Sequence, residues 1–339
     1  MPNANLLVPG TGGITLEDAD GNDVGWPVLM RLKGVIRGVQ GKSDEELVEL
    51  LGMDHRPGQL APVKTSLQPN VSLHPGRVLR VAYNQLQRDV NQFLYDWRAD
   101  LRHSAGQLLD FLRDRKPEGG RWNLVGHSQG GLLIILASKL LEEEDEFSRY
   151  VASATLVAAP AAGTLNAAEA ILVGDNAGAR LAPVMRRTIR MWPAIYQMLP
   201  MWPAVVDADE EPVADEHQLT DTGGWPGVEG IQEDLLLRAR EAHSLLRDPL
   251  SFMEEVDVRF FWAENRDTRT AIRRPTSGPL GWEPVRIEKG DTLVPFATTL
   301  RTIGTEHGPR VSRFPAPCEP HAYLCCDDGV ISRVRGRFE

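Results

Sequence analysis

The segment spanning residues 122–141 constrains the fold of this chain more than any other. The apolar run Trp122–Val125 leads into the hexapeptide GHSQGG at Gly126–Gly131, and the helix-like run Leu132–Leu141 follows at once. A strand that turns directly into a helix through G-x-S-x-G is the context of a nucleophile elbow. The bare pattern arises by chance in many chains, but these flanks are the ones that the elbow requires. The sequence therefore predicts a sheet with Ser128 exposed at its tip.

Strand-like and helix-like runs alternate along much of the chain. An amphipathic helix is expected over residues 99–115, where leucines recur near helical spacing. Strand candidates are Asn5–Val8, Trp122–Val125, Ala154–Ala158, Val258–Trp262 and, more weakly, Pro284–Glu288 and Arg310–Phe314. Alternating strands and helices predict an α/β fold with a mostly parallel central sheet flanked by helices. With the elbow, this is the pattern of an α/β-hydrolase fold.

Two stretches interrupt this alternation. Residues 26–75 are irregular and rich in Gly and Pro, and residues 164–250 combine helix-like runs, Pro-flanked tryptophans and an acidic loop. Long insertions in such sheets usually lie over the active-site face. We therefore expect a core formed by residues 1–163 and 251–339, with an irregular insertion at about 26–75 and a cap or lid at 164–250.

Composition excludes several classes of partner. The chain has 339 residues, 47 Asp and Glu against 37 Lys and Arg, and a formal net charge of -10. An acidic surface argues against binding to nucleic acid or to anionic membranes. The longest apolar stretch, Leu132–Ala137, is too short for stable membrane insertion. Three cysteines near the C-terminus and no basic leader favour a cytoplasmic location. The oligomeric state is not specified.

A serine nucleophile needs a histidine base. In this fold the chain order is serine, acid, histidine, and the base follows the last strand. His321 follows the last strand candidate after a Pro-rich loop, so it is the predicted base. The other histidines are less well placed. His217 and His243 fall in the predicted cap, His307 precedes the last strand candidate, and His127 adjoins the predicted nucleophile.

The acid that orients the base is predicted to be Asp291. It lies in the turn-like run Gly290–Pro295 after a strand candidate, and Asp267, also placed after a strand, is the rival. As an alternative, Asp291 is only a turn or helix-capping residue.

An oxyanion hole takes one N–H from the residue after the nucleophile and one from an early loop. The first of these residues is Gln129. The second is Thr11 or Gly12, in the Gly-rich loop Pro9–Gly13 after the first strand. This loop lacks both the G-x-G-x-x-G fingerprint and the P-loop lysine, so it does not indicate nucleotide binding.

The chain resembles the lecithin:cholesterol acyltransferase family. The similarity lies in six segments, of which Tyr-Asp-Trp-Arg is the most distinctive: Leu7–Gly10, Tyr95–Arg98, Leu124–Gly131, Ala158–Gly163, Gly290–Thr292 and Val311–Leu324. The resemblance implies an α/β-hydrolase fold and a Ser128, Asp291 and His321 triad. It also implies that Thr11 supplies an oxyanion N–H.

These observations predict a serine hydrolase that cleaves carboxylic esters through an acyl-enzyme, as an esterase, lipase or acyltransferase. The substrate is a small-molecule or lipid ester, and no cofactor or metal is required. Trp192, Met198 and Trp202 are candidates for an apolar acyl-binding wall, or for a cap segment buried against the core. A narrow-specificity lactone or small-molecule esterase and a non-catalytic ligand-binding protein are the alternatives. A thiol enzyme using Cys325 or Cys326 fits poorly, because neither follows an elbow.

Overall fold

The fold is seen in a computed structural model of the chain. It describes residues 3–17, 23–24, 42–53, 61–65, 71–74, 77–79, 90–141, 146–174, 182–215, 218–249, 251, 253, 255–274, 282–297, 299, 312–316 and 321–336.

Within those ranges the strands are β1 (Ala4–Val8), β2 (Ile14–Glu17), β3 (Asp23–Val24), β4 (Ala61–Thr65), β5 (Val71–His74), β6 (Arg77–Leu79), β7 (Asn91–Gln92), β8 (Trp122–His127), β9 (Val151–Val157), β10 (Val205–Val206), β11 (Asp257–Ala263), β12 (Arg266–Arg273), β13 (Glu283–Gly290) and β14 (Ser312–Ala316). The α-helices are α1 (Asp44–Leu51), α2 (Leu101–Asp114), α3 (Gln129–Lys139), α4 (Leu165–Val173), α5 (Ala182–Ile189), α6 (Pro193–Gln197), α7 (Glu233–Leu246) and α8 (Asp328–Arg335). Short 3-10 helices cover Phe147–Arg149, Thr222–Gly224 and His321–Cys326.

Six strands form one parallel sheet in the order β14-β11-β9-β8-β1-β7. After β1 the chain passes to β7 on one side and then returns to β8 on the other. Ligands of open α/β sheets bind where the strand order reverses, beyond the carboxyl ends of the strands. The topology therefore predicts a ligand site at the carboxyl ends of β1 and β8, where Pro9 and Ser128 lie. The predicted α/β class with a mostly parallel sheet is confirmed.

Alternate side chains of the central strands enter two separate apolar clusters. Leu6 and Leu124 point into the larger cluster. Leu7 and Val125, one residue further along the same strands, point into a smaller cluster covered by α8. This follows from the two-residue period of a strand. Both faces of the sheet are therefore buried, which explains why the sequence of β8 is a continuous buried run.

The capping residue and the leucine spacing of α2 explain where this helix begins and which face it buries in the larger cluster. Asp100 caps its N-terminus by accepting a hydrogen bond from the backbone N–H of Arg102. Leu101, Leu108 and Leu112 are buried on one face, in agreement with the amphipathic pattern predicted over residues 99–115.

The stretch at residues 26–75 was expected to be irregular, and this is wrong for its described part. It contains helix α1 and strands β4 and β5, and β4 pairs with β2 in a small antiparallel sheet. The physical reason is visible in the sequence. Ser43 and Glu46 form a capping box, in which each side chain accepts a hydrogen bond from the other residue's backbone N–H.

Residues 164–250 pack closely onto the rest of the chain. Helix α7 contacts α6 and also the elbow helix α3. Strand β10 pairs with β12, which follows the central strand β11 in the chain. Buried side chains from this stretch belong to the same apolar cluster as the central sheet. The division into a core and a cap at 164–250 stays a prediction.

Replacing Gly106, in the middle of α2, with alanine is expected to stabilise the protein. A Cβ atom placed there has no heavy atom within 4 Å. Glycine inside a helix costs roughly 0.5–1 kcal/mol relative to alanine. Urea unfolding of G106A should therefore show a free energy of unfolding higher by about that amount.

Gly130 in α3 provides the matched control. Its added Cβ would lie 2.0 Å from the carbonyl oxygen of Val8. We expect G130A to lower the free energy of unfolding or to prevent folding. Equal unfolding midpoints for G106A and G130A would contradict this account of the helix packing.

Candidate active site

Ser128 lies at the tip of the turn between β8 and α3 in a strained backbone conformation. Its φ is 51° and its ψ is -123°, a region that side chains other than glycine rarely enter. The turn is fixed to the next strand, because the backbone N–H of Ser128 donates to the carbonyl of Val157 at 2.8 Å. The serine side chain makes no capping hydrogen bond to the helix that follows.

Glycines allow the elbow to pack closely. A Cβ on Gly126 would lie 2.8 Å from the carbonyl oxygen of Gly130, across the turn. One on Gly130 would lie 2.0 Å from the carbonyl oxygen of Val8, on the neighbouring strand β1. Glycine is required at the two positions for different reasons. Crowding within the elbow explains Gly126, and the approach of β1 explains Gly130.

Ser128, His321 and Asp291 form a continuous chain of hydrogen bonds. Nε2 of His321 lies 2.8 Å from Oγ of Ser128. Nδ1 of the same ring lies 2.7 Å from Oδ2 of Asp291. Asp291 and His321 are both buried. The structure thus brings together the three residues that the sequence analysis selected from distant parts of the chain.

The surroundings of Asp291 keep it ionised. Its other oxygen, Oδ1, accepts hydrogen bonds from the backbone N–H groups of Leu293 at 3.0 Å and Val294 at 2.7 Å. Burial, the largest single effect, favours the neutral acid. The charge of His321 and the hydrogen bonds outweigh it, so the pKa of Asp291 lies below its usual value of 3.8. An ionised carboxylate only accepts, so Nδ1 of His321 must donate to it, and in the neutral form of the ring Nε2 is then the nitrogen that accepts from Ser128.

A hairpin outside the central sheet delivers Asp291. It follows β13, which pairs antiparallel with β12. Thr268 of β12 accepts a hydrogen bond from the backbone N–H of Thr292 at 3.0 Å, and Thr164 donates to the carbonyl of Leu293 at 2.5 Å. The rival acid Asp267 is 68% exposed and pairs with Lys289 across this hairpin at 2.6 Å.

His127 contacts the backbone of His321. Its Nε2 lies 3.2 Å from the carbonyl oxygen of His321. Burial, followed by the nearby charge of His321, lowers the pKa of His127 to about 3. The ring is therefore neutral near pH 7, and Nε2–H donates to that carbonyl. The backbone N–H of His321 donates in turn to the carbonyl of Asp291 at 2.7 Å. The position of His127 in the sequence disfavours it as a base, and nothing in the sequence indicates this contact between residues 194 positions apart.

The predicted oxyanion loop lies directly against Ser128. A Cβ on Gly10 would lie 2.9 Å from Cβ of Ser128. The N–H of Gly13 donates to the carbonyl of Gly10 at 2.9 Å, which closes a turn with Thr11 at its second position. Gln129 is the first residue of α3, so its N–H has no partner within the helix. Both predicted donors thus stand beside Ser128.

The Tyr-Asp-Trp-Arg segment supports this loop at both ends. The hydroxyl of Tyr95 donates to the carbonyl of Pro9 at 2.6 Å, and the indole of Trp97 donates to the carbonyl of Ile14 at 3.0 Å. Arg98 forms an ion pair with Asp96 at 2.7 Å, which anchors the segment itself.

The three candidate acyl-wall residues are largely enclosed by protein. Trp192 is buried, contacts Trp97 edge to face and donates its indole N–H to the carbonyl of Leu51 at 2.8 Å. Trp202 is half-buried and donates to the carbonyl of Thr270 at 2.7 Å. Met198 is buried. These contacts favour the packing alternative for the two tryptophans, and the acyl-wall assignment stays a prediction.

His243 and Cys325 lie elsewhere in the described fold. His243 is buried, with Nε2 at 3.2 Å from the carbonyl of Gln197. Cys325 is buried in the smaller apolar cluster. His217 and His307 lie outside the described residues. The described part of the chain contains no group of three His, Cys, Asp or Glu side chains placed to hold a metal ion. Nor do the described residues include a helix long and apolar enough to cross a membrane.

The parallel sheet, the elbow at Ser128 and the order of serine, acid and histidine define an α/β-hydrolase fold. A chain in the crystal structure of a Tle4–Tli4 complex has the same fold. Its TM-score is 0.67 at 13% sequence identity, over 99% of this chain and 98% of that chain.

A family model described as lecithin:cholesterol acyltransferase matches residues 82–288. The match covers more than half of the chain and includes the Tyr-Asp-Trp-Arg segment and the elbow. This protein therefore belongs to the lecithin:cholesterol acyltransferase family, as the sequence resemblance predicted. The match ends before Asp291 and His321. No curated protein sequence matches the chain.

The buried histidines predict how stability depends on pH. Burial lowers the pKa of His243 from 6.5 to about 4. Between these two pH values the histidine is protonated in the unfolded chain but stays neutral in the folded protein. The free energy of unfolding should therefore fall between about pH 6.5 and about pH 4, by roughly 1 kcal/mol per pH unit for this histidine. Asp291, with its lowered pKa, stabilises the fold above the usual carboxyl pKa of 3.8, and this contribution is lost only as the pH falls below that value.

Replacing His243 with glutamine tests this, because glutamine can donate to the carbonyl of Gln197 but does not titrate. Urea unfolding at about pH 7 and about pH 5 should show a loss of stability in H243Q that is smaller than the wild-type loss by roughly 1–2 kcal/mol. Equal losses in the two proteins would contradict the assignment.

Proposed function

We propose that this protein is a serine-dependent carboxylic ester hydrolase or acyltransferase that works through an acyl-enzyme. Membership of the lecithin:cholesterol acyltransferase family and the α/β-hydrolase fold indicate ester hydrolysis or acyl transfer in general. The observation that carries the specific proposal is the hydrogen-bond chain from Ser128 through His321 to Asp291, at 2.8 and 2.7 Å.

In the first step, Oγ of Ser128 attacks the ester carbonyl and its proton passes to Nε2 of His321. Asp291 stabilises the imidazolium that forms and fixes the ring in the tautomer that can accept this proton. The backbone N–H groups of Gln129 and Thr11 donate to the developing oxyanion. The alcohol then leaves with the proton held by His321, and the acyl group stays on Ser128.

In the second step, water or another alcohol attacks the acyl-enzyme and gives up its proton to Nε2 of His321. The bond between the acyl group and Oγ of Ser128 then breaks, and His321 returns the proton to that oxygen. Water yields hydrolysis, whereas an alcohol yields transfer. The expected substrate is a small-molecule or lipid ester, and a narrow-specificity lactone is one member of this class. The acyl wall proposed at Trp192, Met198 and Trp202 would favour longer chains.

Replacing Ser128 with alanine removes the nucleophile but no hydrogen bond that the fold needs. We expect hydrolysis of p-nitrophenyl esters by S128A to fall by at least about 10³-fold, since loss of a triad member leaves only the oxyanion hole and binding. A fluorophosphonate should label the wild-type protein and not S128A, because labelling requires an activated serine.

The same two measurements separate the alternatives. A folded wild-type protein that neither turns over esters of any chain length nor reacts with the fluorophosphonate would favour a ligand-binding protein. S128A with wild-type esterase activity would refute the proposed nucleophile.

Replacing Asp291 with asparagine should reverse the tautomer of His321. The oxygen of the new amide must take the place of Oδ1, which accepts two backbone N–H groups, so the amide NH₂ would face Nδ1. Nδ1 would then accept, and Nε2 would carry the proton and be unable to take one from Ser128. We expect D291N to lower kcat by about 10³–10⁴-fold, as in other serine triads.

The matched control is D267N, which alters the exposed rival carboxylate. Its kcat should equal that of the wild type in steady-state assays. If D267N rather than D291N lost activity, the acid would be misassigned.

A further inference from the structure

The side chain of Gln129 is fully buried beside the nucleophile and uses both ends of its amide. Its Nε2 lies 2.8 Å from the carbonyl oxygen of Trp97, and its Oε1 lies 2.5 Å from Oγ1 of Thr11. It has no exposed surface. Burying a primary amide costs free energy unless the amide is hydrogen-bonded. These two hydrogen bonds therefore compensate for the loss of water around the Gln129 side chain.

The direction of both hydrogen bonds is fixed by chemistry. A carbonyl only accepts, so the amide group that faces Trp97 must be the NH₂. The oxygen of Gln129 therefore faces Thr11, and the Thr11 hydroxyl must donate to it. This uses the only proton of that hydroxyl. In this arrangement Thr11 is left with its backbone N–H as the donor toward a substrate.

The loop that carries Thr11 is rich in glycine and therefore costly to order. Gly10, Gly12 and Gly13 surround Thr11, and Gly12 adopts a positive φ of 68°. Ordering glycine backbone costs more entropy than ordering other residues. Hydrogen bonds from the side chains of Tyr95 and Trp97 fix the two ends of the loop. The hydrogen bond from the Thr11 hydroxyl to Gln129 fixes its middle.

From these contacts, and resting on the proposed function, we infer that Gln129 is the positioning residue of the oxyanion hole. Its backbone N–H is one donor of the hole. Its side chain holds the other donor, the backbone N–H of Thr11, in place by accepting a hydrogen bond from the Thr11 hydroxyl. Trp97 fixes Gln129 in turn. The sequence separation of Thr11 and Gln129 is 118 residues, so this one contact joins the two halves of the hole.

If Gln129 has this role, variants that break its contact with Thr11 should lose activity in the chemical step and not in substrate binding. Donors that are correctly placed before reaction stabilise the transition state more than the bound ester. Loosening Thr11 should therefore lower kcat and leave KM nearly unchanged. Removing a whole oxyanion donor costs about 10²–10³-fold, and loosening one should cost less, roughly 10-fold to 100-fold.

The test uses T11V, Q129M and the double variant, assayed on p-nitrophenyl esters. Valine has the shape of threonine without the hydroxyl, and methionine has nearly the length of glutamine without the amide. Each single variant should lose roughly 10-fold to 100-fold in kcat with KM within about twofold. The double variant should lose little more than either single variant, because both remove the same contact. T11S, which keeps the hydroxyl, should recover most of the loss seen in T11V.

Losses that multiply in the double variant, or a T11S variant as slow as T11V, would overturn the inference. So would a wild-type kcat in T11V. If Q129M does not fold, as judged by urea unfolding, T11V and T11S decide the question alone, because Thr11 is partly exposed at the surface. The proposed function fails separately: it is refuted by an active S128A, whereas an inactive S128A together with an unimpaired T11V refutes only the role of Gln129.

Discussion

The close approach of the elbow helix to the first strand is the constraint on which the site depends. The carbonyls of Val8 and Pro9 lie so near Gly130 that a single Cβ there would collide with both. Because the two backbones touch, the Gly-rich loop after β1 is placed next to Ser128. The strained turn at Ser128 then holds the nucleophile at the edge where the strand order reverses.

Around this contact, hydrogen bonds to backbone groups fix the position of each chemical group. Asp291 is held by two N–H groups of its own turn. His321 donates its backbone N–H to Asp291, and its carbonyl accepts from His127. Burial keeps His127 neutral, and the carbonyl that it faces requires the ring proton to lie on Nε2. The result is a buried polar cluster in which the polar contacts are satisfied mainly by backbone, which is the arrangement that preorganises a site at least cost.

Residues 164–250 are packed into the same core as the central sheet. They interrupt the alternation of strands and helices, yet their helices share one apolar cluster with that sheet. Trp192 contributes to it by packing on Trp97, the residue whose carbonyl accepts from Gln129. This segment is thus linked through two contacts to the predicted oxyanion hole, and its packing stabilises the Tyr-Asp-Trp-Arg segment.

The sequence alone determined the features that depend on short-range patterns. The run from Trp122 to Leu141 predicted the elbow, since apolar periodicity and glycine placement are local properties. Chain order predicted Ser128, Asp291 and His321 as candidates, and these are the residues that come together. The sequence favoured Asp291 and left Asp267 as a rival, because both follow strand-like runs. Only the tertiary structure separated them: the hairpin of β12 and β13 places Asp291 against His321 and leaves Asp267 exposed beside Lys289. It alone revealed the side-chain contacts of Gln129 and His127, because a hydrogen bond between residues more than a hundred positions apart leaves no periodic trace in one sequence.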